Sequence, residues 1–193
     1  LIYSRLIQSF GEETARRYAK ANQDAVRAYQ DLIDVQGISC DWEERCAYLY
    51  GPDVTVLQEE AEAARRLGLP ASFTREVSIP IPHDGAVCFE GQAQFHPLKF
   101  LKVLADQLTI YEQSRVLTAE GDLLTTELGS VQAEHIVFAC HFPFVNFPGM
   151  YFARMHQERS YVLALQGAPP VDGMFLGVGR DTFSLRTYGE LLL

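Results

Sequence analysis

QAQFHPLKFLKVLADQLTIYEQSRVLTAEGDLLTTELGSVQAEHIVFACHFP, from Gln92 to Pro143, is the stretch whose reading decides the fold. Phe95-His96-Pro97 leads into a run with helical apolar spacing. Proline suits the first turn of a helix, where its missing N–H would have no partner anyway. The spacing predicts a helix over 98–108 and a strand over 110–116. Glu120-Gly121-Asp122 is a turn, and 123–133 reads as a short hairpin. His135-Ile136-Val137-Phe138-Ala139 is a continuous apolar run ending in a small residue, the pattern of a strand buried on both faces. Helix, strand, hairpin and buried strand in this order predict an α+β protein: a mixed β-sheet with helices on one face and at one end.

Outward from this segment the chain alternates helix and strand. Leu1, Leu6, Ile7 and Phe10 fall near one helical face, and Gly11 breaks that helix. Glu12-Glu13 opens a long helix to about residue 35, its acids placed well for the positive end of the helix dipole. A strand is expected over 40–50, a turn at Gly51-Pro52-Asp53, and a helix over 55–67 that stops at Gly68 before Pro70. Pro80 and Pro82 mark an extended link, and 86–89 begins a strand. Past the aromatic stretch around Pro143, Pro148 and Gly149, a turn of helix is expected at 151–156. Strands are expected at 160–165, 174–178, 183–188 and from 191. Gly179-Arg180-Asp181 reads as a turn between two of them.

A chain of 193 residues can bury a real core, and 48% hydrophobic against 21% charged residues is the balance of an ordinary globular protein. The net charge of −9, with scattered lysines and arginines, argues against a nucleic-acid surface. No apolar run approaches the roughly 20 residues of a membrane span. Cys40, Cys46, Cys88 and Cys140 form no C-x-x-C pair, so no metal site is expected. They read as reduced thiols of a cytoplasmic protein, with a Cys40–Cys46 disulfide as the alternative. Leu1 lies inside an apparent helix and Leu191-Leu192-Leu193 ends without a turn signal, so the expectation is a piece of a longer protein.

No G-x-G-x-x-G is present. Gly177-Val178-Gly179 lies between strands and opens no helix, so the amides that cradle a pyrophosphate are not supplied here. Glu12-Glu13, Glu43-Glu44 and Glu59-Glu60 are adjacent in sequence. Adjacent side chains do not face one another, so these read as solvated pairs and not as carboxylate dyads. His96 either points at a ligand or buttresses the start of its helix, the second reading being preferred. His83 and His135 read as surface residues.

Several stretches carry a resemblance to the D-amino-acid oxidase-like (DAO) family of FAD-dependent oxidoreductases. Leu1–Leu6 with Phe10-Gly11 resembles the segment after that family's flavin-contacting loop. Phe95-His96-Pro97 resembles its strand-to-helix junction, and Arg115-Val116 the strand end whose backbone lies against the adenine. Ile136-Val137-Phe138-Ala139 resembles the last strand of the dinucleotide fold. The Thr-Gly that usually follows is Cys140-His141 here, which leaves a backbone role and puts a side-chain role in doubt. The stretches 139–144, 159–163 and 184–189 are most similar to bacterial γ-glutamylputrescine oxidase-like members.

The resemblance implies an incomplete FAD-dependent oxidoreductase fold without its glycine-rich segment. It divides the chain into a helical and substrate part at 1–90, a remnant of the FAD-binding domain at 91–145, and substrate-domain strands at 146–193. It implies oxidation of a C–N bond by hydride transfer to FAD. Cofactor contacts are expected at Val116, Ala139, Cys140 and His141. No catalytic base is nominated, because a neutral amine needs none. Ser184, Arg186 and Tyr188 share one face of an alternating strand, where Arg186 could hold a substrate carboxylate in a two-pronged grip or be an internally paired arginine. Tyr161 could line the same pocket or lie in the core. Phe142, Phe144, Phe147, Tyr151 and Phe152 form an aromatic cluster that covers the active site or meets a missing domain or a second subunit.

The expected partners are a small amine or amino acid, the missing FAD-binding segment and a second copy of the chain. FAD is expected to bind the isolated chain weakly or not at all, leaving it inactive. The rival readings are a small-molecule binding module and a protein-interaction domain.

Overall fold

The computed structural model describes residues 2–146, 149–179 and 182–193. Readings that involve Leu1, Phe147, Pro148, Arg180 and Asp181 therefore fall outside the described residues. The chain divides into two units, Leu1–Leu104 with Val162–Leu193, and Ala105–Tyr161.

In the first unit, α1 (Tyr3–Phe10) ends at Gly11, whose φ of 79° suits glycine. α2 (Glu12–Gln36) carries Glu12 and Glu13 in its first turn and the pairs Glu12–Arg16, Glu13–Arg17 and Lys20–Asp24 along its exposed side. Gly37 closes it in the left-handed conformation, and Ile38 N–H reaches back to Ile33 C=O at 2.9 Å. β1 (Glu43–Gly51) follows. α3 (Val54–Arg66) is capped by Asp53, whose side chain accepts from Val56 N–H at 3.1 Å. β2 (Ala71–Thr74), β3 (Gly85–Gln94) and α4 (Pro97–Ala105) complete the first segment. In the second unit, β4 (Val116–Glu120), β5 (Leu123–Thr126) and β6 (Ser130–Gln132) form an antiparallel meander, followed by the single turn α5 (Tyr151–Arg154). The chain then returns to the first unit with β7 (Leu165–Gln166), β8 (Met174–Gly177), β9 (Ser184–Tyr188) and β10 (Leu191–Leu192).

Seven strands order β2-β3-β1-β8-β9-β10-β7. β1 and β8 run parallel and the other pairs antiparallel, so the sheet is mixed. One face packs against α1, α2 and α3 through Ala15, Ala19, Leu57, Ala61, Val87 and Phe89. The opposite face buries Tyr50, Phe175 and Leu192 under Val77, Ile79 and Ile81 of the proline-marked link. At one end of the sheet the close of α2 meets α4 through Ile33, Cys40 and Phe100. The expected architecture, helices on one face and at one end of a mixed sheet, is what forms.

Local readings differ in several places. β1 starts at Glu43 and not at Cys40, because Asp41 takes a left-handed φ of 55° and turns the chain there. β2 was not foreseen: Ala-Ser-Phe-Thr carries little strand preference, and register with Phe73 opposite Val87 makes it a strand. α4 stops at Ala105 instead of residue 108. The strand expected over 110–116 does not form as such: the chain turns with Gln113 at φ 53°, and pairing starts only at Val116. The strand expected over 135–139 does not form. Val137 is 85% exposed there, since a strand of this type needs hydrogen-bonded neighbours and none lies beside it among the described residues. The strand expected over 160–165 reduces to Leu165–Gln166. Glu60, expected to be solvated, is completely buried: its carboxylate accepts from the backbone N–H groups of Ile2, Tyr3 and Ser4 at 2.9, 2.8 and 2.9 Å and so holds the start of α1. All four cysteines are free thiols, against the Cys40–Cys46 alternative.

Candidate functional site

β9 carries the polar face that the alternation placed on it. Arg186 and Tyr188 are both half-buried, and Met174 of β8 lies opposite Arg186. The Arg186 guanidinium makes no hydrogen bond or ion pair with another described residue, while its backbone is held by a reciprocal pair of bonds to Leu193 at 3.1 and 2.9 Å. A paired strand presenting a guanidinium that no described residue engages is suited to a carboxylate.

Tyr188 is committed to the protein. Its hydroxyl donates to Asp41 Oδ2 at 2.8 Å, and Lys99 Nζ donates to both oxygens of Asp41 at 2.9 and 2.7 Å. The His96 ring meets the Tyr188 ring edge-on at 5.9 Å, and His96 N–H donates to Cys40 C=O at 2.7 Å. The start of α4, the turn before β1 and the end of β9 are thus tied at one point. Asp41 is held below the usual carboxylate range, first by the hydrogen bond from Lys99 and then by that from Tyr188. The same contact pushes the Tyr188 phenol and the Lys99 ammonium up. A carboxylate lowered on folding contributes above its unfolded value and loses that contribution as pH falls through the lowered one, so the tie holds at neutral pH and opens in acid. In Asp41→Asn the Tyr188 phenol is expected to ionise at lower pH. Tyrosine-labelled NMR titration from about pH 8 to about pH 12 checks this, and an unmoved Tyr188 curve would show that Asp41 does not set it.

Gln94, which sequence reading passed over, stands beside this tie. Its amide donates to Glu43 Oε2 at 2.9 Å and to Thr187 C=O at 3.1 Å, while its carbonyl oxygen is buried without a partner among the described residues. A buried acceptor left open in this way suits an N–H of a ligand. No sequence signal marks it, because its partners Glu43 and Thr187 lie 51 and 93 residues away in the chain.

The cofactor candidates lie in the second unit. Val116 begins β4, which pairs with β5 on one side only, so the other edge keeps free backbone groups. Ala139, Cys140 and His141 are exposed and in no regular element. The open edge of β4 and the exposed backbone at 139–141 leave the peptide groups that the expected FAD contact would use. No glycine-rich helix N-terminus that would take the pyrophosphate occurs among the described residues, so the fit is partial. Tyr161, expected beside Arg186 or in the core, is 84% exposed in an irregular stretch of the second unit. In the aromatic cluster Phe138 and Phe144 pack edge-on at 5.8 Å, while Phe152 is exposed.

Residues 3–190 match the family described as DAO, FAD dependent oxidoreductase. A Bacillus subtilis (strain 168) protein with the provisional name Rieske 2Fe-2S iron-sulfur protein YhfW is 34% identical over 201 residues, covering 96% of this chain and 39% of that protein. The fold is similar to glycine oxidase from Geobacillus kaustophilus, with a TM-score of 0.66, 16% identity and coverage of 90% of this chain and 54% of that one. L-Proline dehydrogenase from P. horikoshii gives a TM-score of 0.63 at 13% identity, covering 94% of this chain and 54% of that one. The chain therefore spans about half the length of these structures and less of the Bacillus relative. By the extent of the family match, this chain belongs to the DAO family of FAD-dependent oxidoreductases.

Proposed function

We propose that this chain is the substrate-side portion of an enzyme that oxidises the C–N bond of an amine or amino acid. The observation that carries the reading is Arg186, a guanidinium with no hydrogen bond or ion pair to another described residue, on a paired strand in a family of FAD-dependent oxidoreductases. When bound, FAD supplies the hydride acceptor. Arg186 would anchor a carboxylate and Gln94 Oε1 would accept from the amine, which arrives neutral and needs no side-chain base. An amine of the γ-glutamylputrescine type also carries such a carboxylate, which fits the resemblance noted at 159–163 and 184–189.

The FAD-binding segment is the partner we assign to the uncovered apolar run of the second unit, where Val137 is 85% exposed. A strand packed beside 135–139 would give that segment the ladder it lacks. Without it, the chain is expected to be colourless and inactive. No helix among the described residues is long and apolar enough to cross a membrane. A cytoplasmic location is the reading that the four free thiols favour. The Rieske name of the Bacillus relative favours an iron–sulfur carrier as the electron acceptor.

Anaerobic addition of amino acids and γ-glutamyl amines to the full-length protein tests the reading. Loss of oxidised-flavin absorbance is expected with at least one of them. A full-length protein without bound flavin, or one whose flavin no amine reduces, would overturn it.

A further inference from the structure

α2 is anchored to the rest of its unit at two separated places. Ala15 and Ala19 are buried against α3 near its start, and Ile33 is buried with Ile38, Cys40 and Phe100 near its end. Between Ala19 and Tyr29, whose ring packs on Phe95 and Phe100 at 5.6 and 5.4 Å, no residue of α2 is buried, a span of roughly 15 Å at the rise of an α-helix. Beneath it lies a cleft of about 630 Å³, within the range of small-molecule sites. The floor is Trp42, Glu44 and the bulge where Gly91, at φ 65°, interrupts the pairing of β1 with β3. None of its lining residues belongs to β9.

The cleft is polar and incompletely satisfied. The Trp42 indole is stacked on Phe95 at 5.9 Å, and its N–H is buried with no partner among the described residues. A buried donor in that state calls for an acceptor brought from outside. Gln23 and Gln30 line the roof with amides that make no hydrogen bond to described residues. Among the described residues Arg27 pairs with Asp24 alone, at 3.9 Å, beyond hydrogen-bond reach. Glu44 on the floor is likewise uncommitted. The lining holds Arg16, Lys20 and Arg27 against Asp24 and Glu44, one net positive charge in a chain of net −9. Free amides match peptide groups, cations match a carboxylate, and Glu44 matches an ammonium.

We propose that this cleft binds a short peptide, or a peptide-like amide, through its free carboxylate and amide groups. The proposal is independent of the C–N oxidation reading, because the two share no residue. Triglycine is the probe, added to the full-length protein without amine substrate. Trp42 lines the cleft, so a triglycine-dependent emission change that wild type shows and Trp42→Phe lacks reports on the cleft. A saturable change is expected with triglycine. Binding should be weakened at least about tenfold for triglycine amide and in Arg27→Glu. Arg27 is 75% exposed, so that substitution leaves the core intact. No saturable change up to about 10 mM, equal binding of the amide, or an equal response to citrate would overturn the proposal.

Discussion

Arg186→Ala is expected to lower kcat/KM of the full-length protein for its best carboxylate-bearing substrate by about 100-fold, or about 2.7 kcal/mol. A bidentate guanidinium–carboxylate pair holds two charge-assisted bonds, and truncation leaves the substrate carboxylate without either. Arg186→Lys should recover only part of the loss, because an ammonium offers a point charge in place of a planar fork. A parallel series with an amine lacking the carboxylate separates anchoring from folding, since the variant should treat that substrate like wild type. Unchanged kcat/KM for the carboxylate substrate would remove Arg186 from the site. The register of β9 makes the experiment clean: the strand is held through backbone bonds to Leu193 and through Tyr188 to Asp41, so it does not depend on the guanidinium.

Glu60→Ala should cause the largest loss of stability among single substitutions of charged residues, about 2–4 kcal/mol. Three backbone N–H groups at the start of α1 lose one acceptor, and the buried space on α3 is left empty. For a protein of this size the unfolding midpoint should fall by about 5–12 °C. Glu60→Gln keeps an acceptor oxygen and should fall between wild type and alanine. Thermal unfolding of the three proteins in parallel decides the matter, and a midpoint within about 1 °C of wild type for alanine would show that the cap contributes nothing. The neighbouring Glu59→Ala, on the exposed side of α3, is the control.

Glu60 also shows where sequence reading reached its limit. Two adjacent glutamates on a helix point in different directions, which correctly excluded a dyad. The pattern could not say that one of them would meet the amides of a helix 56 to 58 residues away in sequence. Gln94 is a similar case, made into a half-satisfied group by contacts with Glu43 and Thr187, 51 and 93 residues away in sequence. The 135–139 segment failed in the opposite direction: its composition is that of a buried strand, and composition supplies no neighbour to pair with.

What the sequence by itself determined was local and periodic. The bounds of α2 and α3 follow from glycine stops, acids in a first turn and an aspartate cap, all carried within a few residues. The shared face of Arg186 and Tyr188 follows from the two-residue period of a strand. Tertiary structure alone decided which of those side chains stayed free. Tyr188 was drawn to Asp41 and Lys99, Arg186 was not, and α2 was left spanning a cleft because its two anchor points belong to different parts of the core. Those outcomes depend on contacts between residues far apart in the chain, and no local preference encodes the partner.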